Sequence, residues 1–479
     1  MPGPNVLLVC VDHWPGPLLA AAGHPVVLTP TLDELCDVGV RFSEAYSATP
    51  TCVPARRALM TGTTARTHGD RVFSERLPMD GRLVTMPQAF RDAGYQAYAV
   101  GKLHVYPQRS RIGFDEVILN EEGRHHLGML RDDYEAFLVE RGFAGQELTH
   151  GMSNNEYAVR PWHLPEDCHQ THWTTRETCR AIRRRDPTRP AFWYCSYAAP
   201  HPPLTPLRDY LDMYLRTGVD EPFVGEWARD AEALPYALAA QRSRVRAPQR
   251  PREIELARAA FYAQCTYIDH QMRLLIGTLR EEGLLGNTVI AFVSDHGDML
   301  GNHLLWAKPP MHEYSAKIPM ILVGADGDAR VGRGVRDDRL AELRDVMPTL
   351  LELCGIPIPA TVEGLSLVSG ERRPSLYGEH WEGDRAMRMV RKGPHKLIYY
   401  PVENRFQLFD LDSDPRELHD LSQDPSRRSI LQELSGVLSG ELYGADTAWL
   451  SGGRLVGLPA KKADPPAADR GLHGQRGWR

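Results

Sequence analysis

A cysteine stands near the head of the segment Thr49-Pro-Thr-Cys-Val-Pro-Ala-Arg56, which continues into an apolar run that ends at Gly62. Pro54 suits the first turn of a helix, where its missing N–H removes no hydrogen bond. Cys52 is then predicted at or just before a helix N-terminus, where exposed amides and the helix dipole favour negative charge. A lone cysteine in this position indicates either a low-pKa thiolate nucleophile or a buried structural residue.

Four short apolar runs, each typical of a buried strand, are followed by polar side chains. In chain order these polar groups are Asp12 with His13, Lys102 with His104, His201, and Asp295 with His296. Open α/β sheets bind their ligands at the carboxyl ends of parallel strands. We therefore expect these groups to share one pocket with Cys52 and Arg56.

Three of these groups, Asp12, Asp295 and His296, form a candidate ligand set for one divalent metal ion. Carboxylate oxygens suit a hard cation such as Ca²⁺ or Mg²⁺, whereas an imidazole shifts the preference toward Mn²⁺. The sequence therefore predicts a metal site for Ca²⁺ or Mn²⁺, with Mg²⁺ as a further candidate.

Strand and helix signals alternate along most of the chain, which predicts an α/β fold with a large, mostly parallel sheet sandwiched by helices. The predicted strands of this sheet include residues 5–11, 95–100, 191–197, 288–293 and 318–323. Beyond residue 370, short strands and a helix indicate a smaller C-terminal antiparallel sheet. We divide the chain into a catalytic domain at 1–370, an α+β subdomain at 371–443, and an extended or flexible arm at 444–479.

The composition restricts the class of partner. The chain has 479 residues and a formal net charge of -6, which argues against nucleic-acid binding because that function needs a basic face. We find no signal peptide and no apolar stretch of membrane length, so a cytoplasmic protein without membrane association is expected. The eight cysteines lack paired spacing and do not indicate a disulfide framework.

The pattern Cys52-x-Pro54-x-Arg56 resembles the signature of the type I sulfatases, a family of the alkaline-phosphatase-like superfamily. The run Ser294-Asp-His-Gly-Asp-Met-Leu-Gly-Asn-His303-Leu-Leu-Trp-Ala-Lys308 is similar to a segment of bacterial sulfatases. Gln407-Leu-Phe-Asp-Leu-Asp412 resembles the family's closing segment. The resemblance implies a formylglycine made from the cysteine by a formylglycine-generating enzyme. It also implies hydrolysis of a small anionic ester, an aryl or alkyl sulfate.

The resemblance also implies a division of labour around the metal ion. Asp12, Asp295, His296 and the modified Cys52 would hold the ion. Arg56 would help to hold the hydrated formylglycine. These assignments make the predicted strand ends and the predicted helix start parts of one catalytic site.

The remaining polar groups receive roles in the same way. Lys102 would hold the formylglycine diol, and His104 would accept its proton when sulfate is released. His201 and Lys308 would bind the sulfate oxygens, with His201 also the acid for the leaving alcohol. Many family members have a second aspartate where this chain has His13, and related phosphonate monoester hydrolases commonly have glutamine. His13 would bind the metal ion, hydrogen-bond the substrate or only line the pocket, and of these three roles we assign it to substrate binding.

Several alternatives stay open. A phosphonate monoester or phosphodiester hydrolase would use the same machinery, because its singly charged substrate resembles a sulfate ester. A non-catalytic anion-binding scaffold would keep Cys52 unmodified, and a cysteine-thiolate hydrolase would need no metal ion. The alcohol depends on the regions 105–190 and 205–250, whose structure the composition does not predict. The arm at 444–479 is long enough to reach a second subunit, which leaves a homo-oligomer open.

Overall fold

The computed structural model describes residues 3–123, 132–152, 155–245, 247–308 and 310–462. Its main sheet contains eight strands, which in chain order are β1 (Asn5–Val11), β2 (Val40–Tyr46), β3 (Gln96–Gly101), β4 (Glu116–Leu119), β5 (Ala191–Tyr197), β6 (Thr288–Ser294), β7 (Met320–Val323) and β8 (Val335–Glu342). Their order across the sheet is β4-β3-β5-β1-β6-β7-β2-β8. All neighbours pair in parallel except the two pairs that include β7. The predicted large, mostly parallel sheet is confirmed.

The α-helices are α1 (Pro30–Val38), α2 (Cys52–Thr61), α3 (Ala65–His68), α4 (Met86–Asp92), α5 (Asp133–Glu140), α6 (Gln170–Arg183), α7 (Arg208–Thr217), α8 (Tyr236–Arg244), α9 (Pro251–Glu281), α10 (Glu313–Ala316), α11 (Val346–Leu353) and α12 (Arg428–Glu441). Among the residues described, no helix combines the length and the apolar character that crossing a membrane requires.

The central strand β1 is buried on both faces, which explains its unbroken apolar sequence. Leu7 and Val9 contribute to one core together with α1, α6, α7 and α9. Val6 and Leu8 contribute to a second core, with α2, α4 and α11. Because successive side chains of a strand point to opposite faces, one short segment anchors both helical layers.

The second sheet is antiparallel, and its strands are β9 (Leu376–His380), β10 (Met387–Lys392), β11 (His395–Tyr400) and β12 (Arg405–Asp410). One face, which includes Met389 and Ile398, packs in a core with Met299 and Leu305 of the larger unit. The other face is covered by α12. The predicted smaller antiparallel sheet with a helix is confirmed, whereas the boundary at residue 370 stays a prediction.

The structure differs from the predicted arm over its first part. Trp449 is buried and packs against Tyr399 of β11, and the buried Asp446 pairs with Arg71 and Arg388. The short strands β13 (Leu450–Ser451) and β14 (Arg454–Leu455) follow. The prediction of an extended arm is corrected here, because one aromatic residue and one paired carboxylate suffice to hold a polar, glycine-rich segment. Residues 463–479 lie outside the described part of the chain.

Candidate active site

Four neighbouring parallel strands, in the order β3-β5-β1-β6, place their carboxyl ends along one edge of the main sheet. Lys102 directly follows β3, Asp12 directly follows β1, and Asp295 directly follows β6. His201 lies four positions beyond the end of β5. Since parallel strands bring their ends together, this topology explains how residues far apart in sequence come to face one another.

Cys52 is the first residue of α2, and its side chain is buried beside the end of β1. Its Sγ lies 3.6 Å from Oδ1 of Asp12 and 3.2 Å from Nε2 of His296. Burial and the Asp12 carboxylate raise the pKa of the Cys52 thiol to about 12. The surrounding protein groups therefore disfavour the low-pKa thiolate that the helix start alone predicts.

Arg56, one turn further along α2, reaches back into the sheet. Its Nε donates to Oδ2 of Asp295 at 2.9 Å, and its Nη1 donates to the backbone carbonyl of Lys102 at 2.9 Å. The same Nη1 donates to Ser196 Oγ at 2.8 Å and to Tyr194 OH at 3.1 Å. The buried guanidinium thus ties the start of α2 to the ends of three strands.

Each of the two site carboxylates has one oxygen held by a cation. Lys102 Nζ contacts Oδ2 of Asp12, and Arg56 holds Oδ2 of Asp295. The other oxygens lie near one imidazole: Oδ1 of Asp12 is 3.5 Å and Oδ1 of Asp295 is 3.7 Å from Nε2 of His296. Burial alone would raise the pKa of Asp12. The positive charge of Lys102 has the largest opposing effect, and the pKa is held well below its usual value. The carboxylate is therefore ionised.

Three buried histidines use the same ring nitrogen for an internal hydrogen bond. Nδ1 of His296 and of His201 each donate to the carbonyl of the next residue, at 2.9 Å and 2.6 Å. Nδ1 of His13 donates to Oδ2 of Asp298 at 2.7 Å. Burial lowers the pKa of all three imidazoles, that of His201 to about 3, so they are neutral. In each ring Nε2 is therefore unprotonated, and its lone pair can bind a metal ion or accept a hydrogen bond.

A group that can hold a metal ion forms around these atoms. Asp12, His13, Cys52 and His296 are buried, and one ligand atom from each lies within 4.8 Å of the others. It is the one such group in the described part of the chain. Carboxylate and imidazole donors fit a divalent cation, and the Asp295 oxygen lies alongside them. His13, predicted to bind substrate, lies within this group.

Lys308 and His201 lie on one side of the site, beside His13. Lys308 Nζ contacts Nε2 of His13. The ring centroids of His13 and His201 are 4.3 Å apart. Glu122 connects this side to Lys102, with Oε2 at 2.9 Å from Lys102 Nζ and Oε1 at 3.8 Å from His201 Nδ1. Lys308 and the neutral imidazole of His201 therefore adjoin the ligand group at His13, which belongs to it.

His104 occupies a different position from the other predicted groups. Its ring packs edge-on against Phe73 at 5.6 Å between centroids, and its backbone N–H donates to Oε1 of Glu121 at 2.8 Å. It lines a small cavity with Val53 and Arg56 on the α2 side of the site. The contact of His104 with residue 52 that the resemblance implies stays a prediction.

Sequence reasoning missed four residues that hold the site together: Glu122, Tyr194, Ser196 and Asp298. Tyr194 and Ser196 are two positions apart on β5, so the period of a strand places them on one face and could have identified them. Asp298 lies in the run that follows β6. Glu122 carries no local signal, because only the path of the chain after β4 brings it to Lys102.

Comparisons with known proteins agree with this geometry. The sequence model of the family described as Sulfatase matches residues 4–356, and that described as "N-sulphoglucosamine sulphohydrolase, C-terminal" matches residues 301–441. An arylsulfatase of Clostridium perfringens is 33% identical, over 95% of this chain and 97% of that protein. A choline-sulfatase of Rhizobium meliloti is 29% identical, over 88% and 83%. The solved phosphonate monoester hydrolase of Agrobacterium radiobacter shares the fold, with a TM-score of 0.79 and 21% identity over 95% of this chain and 99% of that chain.

The chain belongs to the sulfatase family. Its activity is that of a sulfuric ester hydrolase: R–O–SO₃⁻ and water give R–OH and sulfate. The resemblance and the reaction predicted from the sequence are both confirmed.

Proposed function

We propose that this sulfatase uses a formylglycine made from Cys52, together with one divalent cation held beside it by Asp12, Asp295 and His296. The observation that carries the proposal is the position of Cys52 Sγ, 3.6 Å from the Asp12 carboxylate and 3.2 Å from His296 Nε2. A thiol with a pKa near 12 is a weak nucleophile at neutral pH. Replacing the sulfur by a diol oxygen gives the same position a usable nucleophile.

The backbone position of residue 52 is fixed by the elements around it. The residue opens α2, and Arg56 fixes that helix to the sheet through Asp295 and Ser196. Hydrated formylglycine would supply an oxygen nucleophile at this point and would release sulfate by re-forming the aldehyde. Lys102 lies on the other side of Asp12 and stabilises negative charge there. We assign Arg56 and Lys102 to orienting residue 52, and keep His104 as a candidate base for its diol.

A bound divalent cation would polarise the ester oxygens and offset the charge of the transition state. The chain's own groups complete the anion site from the opposite side. Lys308 supplies a positive charge, and the neutral imidazoles of His13 and His201 border it. This arrangement fits a singly charged tetrahedral group better than a long polyanion, because it offers one half-buried ammonium group bordered by two buried neutral imidazoles.

His201 is placed to protonate the leaving alcohol. Its Nδ1 is occupied by a backbone carbonyl, which leaves Nε2 for the substrate. Burial and the charge of Lys308 lower its pKa to about 3. A bound sulfate ester would offset Lys308 and raise that pKa, so proton donation would be linked to occupancy by the anion.

Mass spectrometry of the peptide that contains Cys52 tests the nucleophile. We expect formylglycine in protein produced together with a formylglycine-generating enzyme, and cysteine in protein produced without it. Aryl sulfate hydrolysis should follow the modified fraction and should stop in the presence of a chelator. Full activity of the unmodified protein would contradict the proposal. A thiol at residue 52 in protein produced with the modifying enzyme, together with no turnover, would favour the anion-binding scaffold.

A phosphonate monoester or phosphodiester hydrolase is the second candidate. The same group of Lys308, His13 and His201 would accept a singly charged phosphorus ester, because its charge and shape resemble those of a sulfate ester. The ratio of kcat/KM for 4-nitrophenyl sulfate to that for a phenyl phosphonate monoester separates the two. A preference of more than about tenfold for phosphorus, about 1.4 kcal/mol in transition-state binding, would make the phosphorus ester the principal substrate.

A formylglycine-generating enzyme is the one maturation partner that the proposal requires. We keep a cytoplasmic location and the division at residue 370 as proposals from the sequence. A mass measurement in solution tests for a homo-oligomer. A substrate panel identifies the alcohol, and the peptide analysis gives the extent of Cys52 modification.

A further inference from the structure

His13 is oriented toward the metal-ligand group and not away from it. Its Nε2 lies 3.8 Å from Oδ1 of Asp12, and its ring centroid lies 4.6 Å from that of His296. Its backbone has a φ of 69°, in the left-handed region that few non-glycine residues adopt. Backbone strain of this kind persists where the surrounding structure holds it, and it is concentrated at functional sites.

Asp298 determines which nitrogen of His13 is available. Its Oδ2 accepts from Nδ1 of His13 at 2.7 Å and also contacts the Tyr157 hydroxyl. Its Oδ1 accepts from the backbone N–H groups of Leu300 and Ala307, at 2.9 Å and 3.1 Å. The Tyr157 hydroxyl and the two backbone N–H groups are donors, so Asp298 acts as an acceptor, and its contact with His13 then places the proton on Nδ1. The Nε2 lone pair is thereby directed to the side on which Asp12 lies.

We propose that His13 is a ligand of the divalent cation through Nε2, and that Asp298 and Tyr157 are positioning residues that hold its tautomer. The site then has two imidazoles beside the carboxylates of Asp12 and Asp295. Two nitrogen donors make Mn²⁺ and other transition ions better ligand partners than Ca²⁺ or Mg²⁺, which prefer oxygen. This inference rests on the proposed metal site and is an alternative to the proposed assignment of His13 to substrate binding.

A competing role exists for the same nitrogen. Lys308 Nζ contacts Nε2 of His13, so His13 could serve only to orient Lys308 toward the sulfate. The two roles predict different metal affinities for variants that lack His13 or Lys308. If His13 is a ligand, removing it weakens metal binding, whereas removing Lys308 leaves metal binding unchanged or strengthens it by deleting a nearby positive charge.

Calorimetric titration of the chelator-treated full-length protein with MnCl₂, and separately with CaCl₂, tests the inference without any turnover. We expect the unsubstituted protein to bind Mn²⁺ at least about 100-fold more tightly than Ca²⁺. His13→Ala should weaken Mn²⁺ binding by at least about tenfold, since even residues that only orient a ligand cost 10- to 100-fold. His13→Asp should shift the preference toward Ca²⁺.

Two matched variants serve as controls. Lys308→Met removes the competing partner of His13, and His201→Ala removes a buried imidazole whose ring centroid is 4.3 Å from that of His13. His201→Ala should bind Mn²⁺ within about threefold of the unsubstituted protein, and Lys308→Met should bind it equally well or more tightly. Circular dichroism and thermal unfolding of each metal-free variant check folding, and His13→Gln replaces His13→Ala if the latter does not fold.

The positioning residues have a spectroscopic test. In the Co²⁺-loaded protein, Asp298→Asn and Tyr157→Phe should change the visible ligand-field absorption and weaken Co²⁺ binding by about 10- to 100-fold for Asp298 and less for Tyr157.

Unchanged Mn²⁺ affinity in His13→Ala, or an equal loss in Lys308→Met, overturns the inference and leaves the proposed reaction intact. A protein that binds neither ion overturns it together with the metal site. Loss of sulfate hydrolysis with metal binding retained would count only against the proposed reaction, and the unchanged metal data would still support His13 as a ligand.

Discussion

The Sγ atom of Cys52 lies 3.2 Å from Nε2 of His296, although the two residues are 244 positions apart in the chain. One opens a helix and the other follows the end of a central strand. Nδ1 of His296 is occupied by the carbonyl of Gly297, so its Nε2 faces the cysteine as an acceptor. The contact therefore joins Cys52 to His296 within the ligand group.

Cys52→Ala should abolish sulfate hydrolysis, because alanine has no side-chain group that can serve as the nucleophile. We expect kcat for 4-nitrophenyl sulfate to fall at least about 10³-fold. Cys36→Ala is the matched control, since Cys36 is buried in α1 within a core of the opposite helical layer. Retention of more than a tenth of the activity in Cys52→Ala would show that residue 52 is not the nucleophile.

Arg56→Met should destabilise the fold as well as the site. Removing the guanidinium leaves the buried Asp295 carboxylate and three further acceptors without their donor, which costs about 3–5 kcal/mol. The midpoint of urea unfolding measures this change. Arg82→Met is the control, because Arg82 is 89% exposed in its pair with Asp80, and its midpoint should not move.

His201→Gln should have an effect that depends on the leaving alcohol. An acid is needed most when the alkoxide is a poor leaving group. We expect kcat/KM to fall about 100-fold for an unactivated alkyl sulfate and less than about tenfold for 4-nitrophenyl sulfate. Equal losses for both substrates would indicate that His201 binds sulfate without transferring a proton.

The buried Glu417 should make stability depend on pH between 5 and 8. Burial raises its pKa to about 7, against the pull of Lys396 and with the help of Glu313. The folded state therefore binds a proton that the unfolded state releases near the ordinary glutamate pKa of 4.5. The resulting stabilisation is complete below that value and is lost as the pH rises through about 7.

Glu417→Gln imitates the protonated form, in which an amide oxygen can still accept from the backbone N–H of Glu313. Its melting temperature should match that of the unsubstituted protein at pH 5 and should be higher at pH 8.5. At pH 8.5 we expect its free energy of unfolding to be larger by on the order of 1–3 kcal/mol. Glu403→Gln, at an exposed position, should leave the pH profile unchanged. Parallel profiles for Glu417→Gln and the unsubstituted protein would contradict the prediction.

Local sequence was sufficient for the strands that are buried on both faces. Asn5–Val11 and Ala191–Tyr197 are continuous apolar runs, and the structure has strands with the same bounds. It was insufficient for Val335–Glu342, a strand at the edge of the sheet whose charged, partly exposed sequence carries no apolar period. Burial leaves a pattern in the sequence, and an exposed edge does not.

The chemistry divides in a similar way. The polar residues at strand ends, with Cys52 and Arg56 at a helix start, were enough to predict a metal site, because strand ends and helix starts are encoded locally. The sulfatase class was predicted from the resemblance of these motifs to a known family. Only the tertiary structure decided the direction of each side chain. His13 faces Asp12 because Asp298 holds its other nitrogen, and Glu122 meets Lys102 because the chain returns after β4. Those contacts depend on packing between distant segments, which no local pattern records.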